Sequence, residues 1–390
     1  MDFVAGFDYE GRKTETFSHD GIRYFVNEFW TSRQRQSHNL HEISYRACFK
    51  AELPRFFIER LTERGELVYD PFMGRGTTLL EAHLLGRAVA GNDVNPLSTM
   101  LVEPRLRAPG LDEIERRLAA ADFGEAPADD SDDLLVFYHP KTLGEIRALK
   151  DWLAAKEKAG GLDPVDKWIR MVALNRLTGH SSGFFSVYTL PPNQAVSVES
   201  QRRINRKRNQ VPDYRDTRKI ILKKSRNLLK TGDGGRPAAE PLLSMGPASK
   251  TAHLPDASVG LIVTSPPFLD VVDYQQDNWL RCWFAGIDAA AVKIDKHRTV
   301  ADWEDFVRRS FREFVRVVRP GGHIAFEVGE VRHGTVLLER HVAKAVEGLP
   351  LALLGVIVND QDFTKTANCW GVDNNRRGTN TNRICLFRRT

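Results

Sequence analysis

Two stretches of the chain carry residue types suited to chemistry. In the first, Asp70-Pro-Phe-Met-Gly-Arg-Gly-Thr-Thr78, a carboxylate and two glycines stand just ahead of an apolar run. Glycine lets a backbone come close to a ligand, and a Cβ at Gly74 or Gly76 would block that approach. The run that follows reads as a helix whose amino end would face the ligand. A second carboxylate, Asp93, closes the next apolar stretch, where an acid suits ribose hydroxyls. A glycine loop with that acid points to an adenosine cofactor; the alternative is a plain turn with no ligand. In the second stretch, Ser265-Pro-Pro-Phe268, two prolines stiffen a turn that cannot join a β-ladder. A hydroxyl, a fixed carbonyl and an aromatic ring can hold a planar heterocycle by its exocyclic amine. Two acceptors take the two amine protons, and the ring stacks on the base. Taken alone, this stretch also fits an ordinary Pro-Pro loop.

Both stretches need strands to aim them. Leu67-Val-Tyr69 reads as a short buried strand, followed by a helix over 77–85 and a second strand over 87–93. Asn95-Pro96 breaks the chain there. Residues 260–264 form a continuous apolar run, as expected of a strand buried on both faces. Ligands bind beyond the carboxyl ends of such strands, so Ser265 and Phe268 should share one crevice with Asp70, Gly74 and Asp93. Further helices are expected over 278–285, 303–318 and 336–346, and strands over 323–328, 351–358 and 383–388. Between the two stretches the pattern turns helical, with helices expected over 143–155 and 165–178 and a loop over 180–194. Residues 1–40 are polar and aromatic without clear periodicity and read as an arm packed on the main domain.

The 390 residues allow a large core and more than one domain. Four scattered cysteines contain no Cys-x-x-Cys pair, which argues against zinc and disulfide frameworks. No stretch is long and apolar enough to span a membrane and the amino terminus carries no signal peptide, so a cytoplasmic setting is expected. The net charge of +5 is modest, but its distribution is uneven. Residues 202–226 hold eleven Lys or Arg against Asp213 and Asp216, with amides interleaved. A solvated helix face is the ordinary explanation of such a run. This balance favours nucleic-acid contact, with Arg202, Arg203, Arg206, Lys207, Arg208 and Arg215 as candidates.

The glycine-loop motif, taken with Ser265-Pro-Pro-Phe268, resembles the exocyclic-amine DNA methyltransferases that use S-adenosylmethionine. Ser in the first position of the second motif goes with the cytosine-N4 branch. Tyr45-Arg-Ala-Cys-Phe49 and Arg319-Pro-Gly-Gly322 are similar to further elements of the family. The resemblance implies an α/β Rossmann-like methyltransferase sheet with a mostly helical insert for target recognition. Its parts would be an arm over 1–40, a cofactor-binding part over 41–103, the insert over 104–238 and a catalytic part over 239–390. Asp70, Pro71, Phe72, Gly74, Gly76 and Thr77 would line the cofactor, Asp93 would hold its ribose, and Phe49 would pack near its methionine end. Ser265 and the Pro266 carbonyl would accept from the cytosine amine, Pro267 would stiffen the turn, and Phe268 would stack on the flipped base. Phe268 replaces the commoner Tyr, and Met245-Gly-Pro-Ala-Ser249 stands where relatives often carry Gly-Asp near the cofactor adenine. No metal is implied. Double-stranded DNA would be the partner, with a separately acting restriction endonuclease as a companion enzyme. Adenine-N6 methylation, guanine-N2 methylation of RNA, and an inactive nucleic-acid-binding module are the competing readings.

Overall fold

The computed structural model describes residues 1–30, 37–45, 48–121, 132–190, 195–267, 274–292, 297, 299–331, 336–360 and 381–390. Phe268, Arg46, Ala47 and residues 191–194 lie outside them. Among the described residues the main sheet has nine strands. In chain order they are β1 (Glu15–His19), β2 (Ile22–Asn27), β3 (Leu67–Asp70), β4 (Ala88–Asp93), β5 (Leu242–Met245), β6 (Val259–Thr264), β7 (Val318–Val328), β8 (Leu351–Asp360) and β9 (Thr381–Arg389). Across the sheet the order is β1-β2-β8-β9-β7-β6-β3-β4-β5. Strands β5, β4, β3, β6 and β7 run parallel, and β9 is antiparallel to both its neighbours. The chain therefore winds outward from β3 through β4 to β5, then returns to place β6 on the other side of β3. That reversal opens a crevice at the carboxyl ends of β3 and β6, where Asp70 and Thr264 stand. The α/β Rossmann-like fold is as expected.

Eleven helices matter here: α1 (Glu52–Leu61), α2 (Thr77–Leu84), α3 (Pro96–Leu106), α4 (Leu111–Ala120), α5 (Pro140–Lys158), α6 (Pro164–Arg176), α7 (Val198–Arg208), α8 (Thr217–Leu228), α9 (Tyr274–Ala285), α10 (Val300–Val317) and α11 (Leu338–Ala345). Every residue of β6 is buried, because helices cover both faces of the sheet. Its side chains alternate between two cores. Leu261 and Val263 join Val68 and Ala325 on one face, under α1, α2, α3 and the insert. Ile262 joins Tyr69, Ile324 and Phe326 on the other, under α10 and α11. Helix α10 forms because Trp303, Phe306, Val307, Phe311, Phe314 and Val317 recur at helical spacing along its buried side. Thr299 caps it by accepting the Asp302 amide at 3.1 Å.

Two observations bear on domain organisation. The first 40 residues do not merely pack on the main domain, since β1 and β2 extend the sheet itself. Strand β2 pairs in parallel with β8, and Asn359 accepts the amides of Phe29 and Trp30 at 2.7 and 3.1 Å. The described part of the insert is mostly helical, and its apolar residues share a core with the sheet. Trp168, Ile169 and Val172 of α6 belong to the same apolar cluster as Val68 and Leu261 of the sheet. Among the described residues, no helix is long and apolar enough to cross a membrane.

Candidate active site

Strand β3 delivers Asp70 into the crevice with almost no exposure. Its Oδ1 accepts the Phe72 amide at 3.1 Å and the Thr264 hydroxyl at 2.6 Å. Burial pushes this carboxyl up to about 7, against the pull of those hydrogen bonds. The Thr78 hydroxyl donates to the Val263 carbonyl at 3.0 Å, so the start of α2 is also tied to β6. Phe72 is half-buried, its ring 5.6 Å from that of Phe306. Pro71 and Thr77 are buried on either side of the turn.

The glycine turn is fastened to the end of β4. Gly74 donates its amide to Asp93 Oδ2 at 2.8 Å, and Asn95 donates to Asp93 Oδ1 at 2.9 Å. Asp93 therefore organises the loop. Burial raises its carboxyl above the ordinary range. Next to it, the Asn92 amide reaches the Gly246 carbonyl at 2.7 Å and accepts from Ser244 at 2.8 Å, tying β5 to the turn. Met245 ends β5 beside Asp93 and is 65% exposed.

The two glycines do different work. Both adopt positive φ, +48° at Gly74 and +76° at Gly76. A Cβ at Gly76 would lie 2.4 Å from Val102 Cγ2, so this glycine serves the packing of α2 against α3 rather than ligand access. A Cβ at Gly74 would meet nothing closer than 3.7 Å, so its side of the loop is open.

Sequence reasoning missed the support beneath this loop. Arg105 of α3 is buried and donates to the carbonyls of Leu101 at 2.8 Å, Leu40 at 3.2 Å and Arg75. Arg75 in turn donates to the Ile43 carbonyl at 3.0 Å. The two guanidiniums join the 40–45 segment to the glycine turn. Phe49, just after that segment, is half-buried against the larger core.

Beyond β6 the chain enters Ser265-Pro-Pro. Ser265 is half-buried, Pro266 is buried, and the Pro267 carbonyl accepts Trp303 Nε1–H at 3.0 Å. Trp303 thus fixes the second proline from α10. The β6–β7 register pairs Thr264 with Phe326, which sets Ser265 beside Glu327. Glu327 is 6% exposed and takes hydrogen bonds from the Ser265 hydroxyl and the Asn382 amide. Burial pushes its carboxyl up to about 7. Nothing in the sequence flagged it, since a lone Glu in an apolar strand carries no motif.

The basic run divides in two. On α7, only Gln201 is buried, so Arg203, Arg206, Lys207 and Arg208 line a solvent-facing helix, with Arg202 paired to Asp133 at 2.5 Å. The Arg208 guanidinium lies 3.7 Å above the Tyr188 ring. Three amides on and beside the helix face inward, while Asn209 is exposed: Gln201 and Gln210 donate to the Tyr188 carbonyl at 3.1 and 2.9 Å, and Asn205 donates to the Val136 carbonyl at 2.7 Å. Arg215, also a nucleic-acid candidate, has a largely covered side chain. Its guanidinium clamps the 181–186 loop, at 3.0 Å to the Ser181 carbonyl and 3.1 Å to that of Phe184. Helix α8 is likewise half internal, with Arg218 donating to Leu118 and Ala121 carbonyls.

Residues 8–98 match the model of a family described as DNA methylase, N6_N4_Mtase. The chain is 35% identical over 94 residues to the Type II methyltransferase M.BsoBI of Geobacillus stearothermophilus, 24% of this chain and 17% of that protein. It is 29% identical over 86 residues to the Type II methyltransferase M.MjaII of Methanocaldococcus jannaschii, 22% and 16% of the two chains. The match thus spans about a sixth of the length of these curated relatives. The crystal structure of TrmN from Thermus thermophilus aligns with 88% of this chain and 50% of its own at 11% identity, with a TM-score of 0.35.

Proposed function

We propose that the chain is a DNA methyltransferase that moves a methyl group from S-adenosylmethionine to the N4 amine of cytosine in duplex DNA. One observation carries this reading: the Thr264 hydroxyl meets Asp70 at 2.6 Å, so Ser265-Pro-Pro begins at the very crevice that the glycine turn borders. A cofactor turn and a turn of amine acceptors in one crevice are what direct transfer to an exocyclic amine needs. The matched DNA methylase family and the names of the two Type II relatives support it.

The residues present fit the cofactor. Gly74 leaves room above the loop, and Asp93 stays partly exposed beside it. Exposed Met245 supplies an apolar surface at the adenine position, where relatives often carry an acid. When bound, the cofactor supplies an electrophilic methyl group on a sulfonium.

The cytosine amine is a poor nucleophile, because its lone pair is delocalised into the ring. Ser265 and the Pro266 carbonyl accept its two protons, draw the nitrogen towards tetrahedral geometry and aim the lone pair. Phe268 stacks on the flipped base. Rate comes from positioning and electrostatics, with no covalent enzyme intermediate. Flipping costs a few kcal/mol, offset by DNA contacts of the insert, chiefly the basic face of α7. By analogy with the Type II relatives, the enzyme acts in the prokaryotic cytoplasm beside a separate restriction endonuclease.

The decisive experiment is mass spectrometry of nucleosides from DNA and RNA incubated with the protein and S-adenosylmethionine. N4-methyldeoxycytidine is expected. N6-methyldeoxyadenosine as the main product would overturn the assignment from Ser265, and a product confined to RNA would replace the DNA substrate.

A further inference from the structure

Glu327 has no place in the roles above, yet it is the carboxylate against which Ser265 sits. On parallel strands the register Val263–Ala325 and Thr264–Phe326 continues to Ser265–Glu327. Strand alternation turns both towards the face that the insert covers. A buried carboxylate costs several kcal/mol unless it is paired, and a sheet strand is as well served there by Val or Ile. Among the described residues, the partners of Glu327 are neutral, namely Ser265 and Asn382. Among the described residues it is a buried carboxylate with no structural cation, set next to the proposed amine acceptor.

The chemistry supplies a reason. A neutral Ser hydroxyl that accepts from an amine must send its own proton elsewhere. Methyl transfer breaks an S–C bond and forms an N–C bond, which leaves the amine nitrogen with one proton too many. On the methyltransferase reading, we infer that Glu327 is a positioning residue that orients the Ser265 hydroxyl and takes that proton through it. The amine proton passes to Ser265 Oγ as the Ser265 proton passes to Glu327, so the hydroxyl ends neutral and Glu327 protonated. The sulfonium charge is lost as the thioether forms, and the proton later leaves to solvent. Asn382 holds the carboxylate still from β9. Among the described residues, the titratable groups around it include Cys48, whose thiol burial and Glu327 push up and which also feels Arg75 and Arg105, and Asp70, on the far side of Thr264.

The test combines single-turnover methylation of duplex DNA with infrared titration of the cofactor-free protein. The wild-type rate should rise with pH through one ionisation near 7 and then level off. Glu327→Gln should abolish that limb and slow turnover by about 100-fold or more, while calorimetric cofactor affinity stays within about twofold. Glu327→Asp should regain part of the rate. Independently, the Glu327 carboxyl band, assigned by its loss in the Gln variant or its shift in the Asp variant, should titrate at higher pH in Ser265→Ala. A Gln variant with the wild-type limb and rate overturns the inference, as does a Glu327 titration indifferent to Ser265. Wild-type protein that methylates nothing would sink the methyltransferase reading instead, and the infrared arm would still decide whether Ser265 and Glu327 are coupled.

Discussion

The Thr264 hydroxyl donates to Asp70 Oδ1 at 2.6 Å, and this bond joins two strands at the point where the sheet reverses its winding. Thr264 and Ser265 are consecutive, and they bind carboxylates on opposite neighbours, Asp70 on β3 and Glu327 on β7. Thr264→Val keeps the shape of the side chain and leaves Asp70 one donor short in a buried site. Loss of that partner should cost about 1–3 kcal/mol of stability. The position of Ser265 should loosen with it, so turnover should fall as well. Denaturant midpoints together with turnover check this, and an unchanged midpoint would show that Asp70 finds another donor.

Asp70 and Glu327 also fix a pH dependence of stability. Both carboxyls are raised to about 7 by burial, so the folded protein keeps protons that the unfolded chain releases above its ordinary carboxylate range. Stability contributed this way is present at low pH and is lost as pH rises from about 4 to about 7. Asp163 and Glu313 act in the opposite sense, because Arg117 and Arg316 hold them below the ordinary range despite partial burial, and their contribution vanishes only in acid. The melting temperature of the cofactor-free protein should therefore decline between about pH 5 and pH 7 on this account. D70N should flatten that decline, and a D70N variant that keeps the full slope would mean Asp70 is ionised throughout.

Much of this site is legible in the chain, for reasons that can be named. Strand β6 is an unbroken apolar run, α10 repeats its aromatics at helical spacing, and the turn after β3 is marked by two glycines, both at positive φ. What stayed hidden depends on partners far away in sequence. Strand β2 lacks a clean alternation because it lies near the edge of the sheet, with its place set by β8 more than 300 residues later. Arg105 looks like an ordinary helix cation until α3 carries it under the glycine turn. Glu327 becomes meaningful only through the register of β7 against β6. Gly76 shows a subtler gap, since the residue type was read correctly and its cause, the close approach of Val102, was not.

Asp93 should matter twice over. Asp93→Ala removes an acceptor for ribose hydroxyls and also frees the Gly74 and Asn95 amides. Cofactor affinity should drop by roughly 1.5–3 kcal/mol, with some loss of stability from the loosened turn. Asp93→Asn retains one carbonyl acceptor and should fall between wild type and Ala. Calorimetry on folded variants decides the matter, and equal affinity in all three would remove Asp93 from the cofactor site.

The insert offers the last prediction, which the structure makes sharper than composition could. Arg203, Arg206, Lys207 and Arg208 lie on the solvent side of α7 with Arg202 beside them, whereas Gln201, Asn205 and Gln210 are spent on docking the helix. On the proposed function these cations meet phosphates, and phosphate contacts position a protein without specifying sequence. Removing one cation from a phosphate should flatten the dependence of log affinity on log salt by about 0.9. Replacing all five cations with Ala should lower the slope by a few units and leave cofactor binding intact, because the glycine turn is held by other residues. Arg215→Ala should behave differently, lowering the melting temperature with little change in slope, since its guanidinium holds the 181–186 loop. A fivefold variant that keeps both affinity and slope would make α7 a plain solvated face. The 180–190 loop, which Arg215 steadies and α7 covers, would then be the next surface to test for DNA contact.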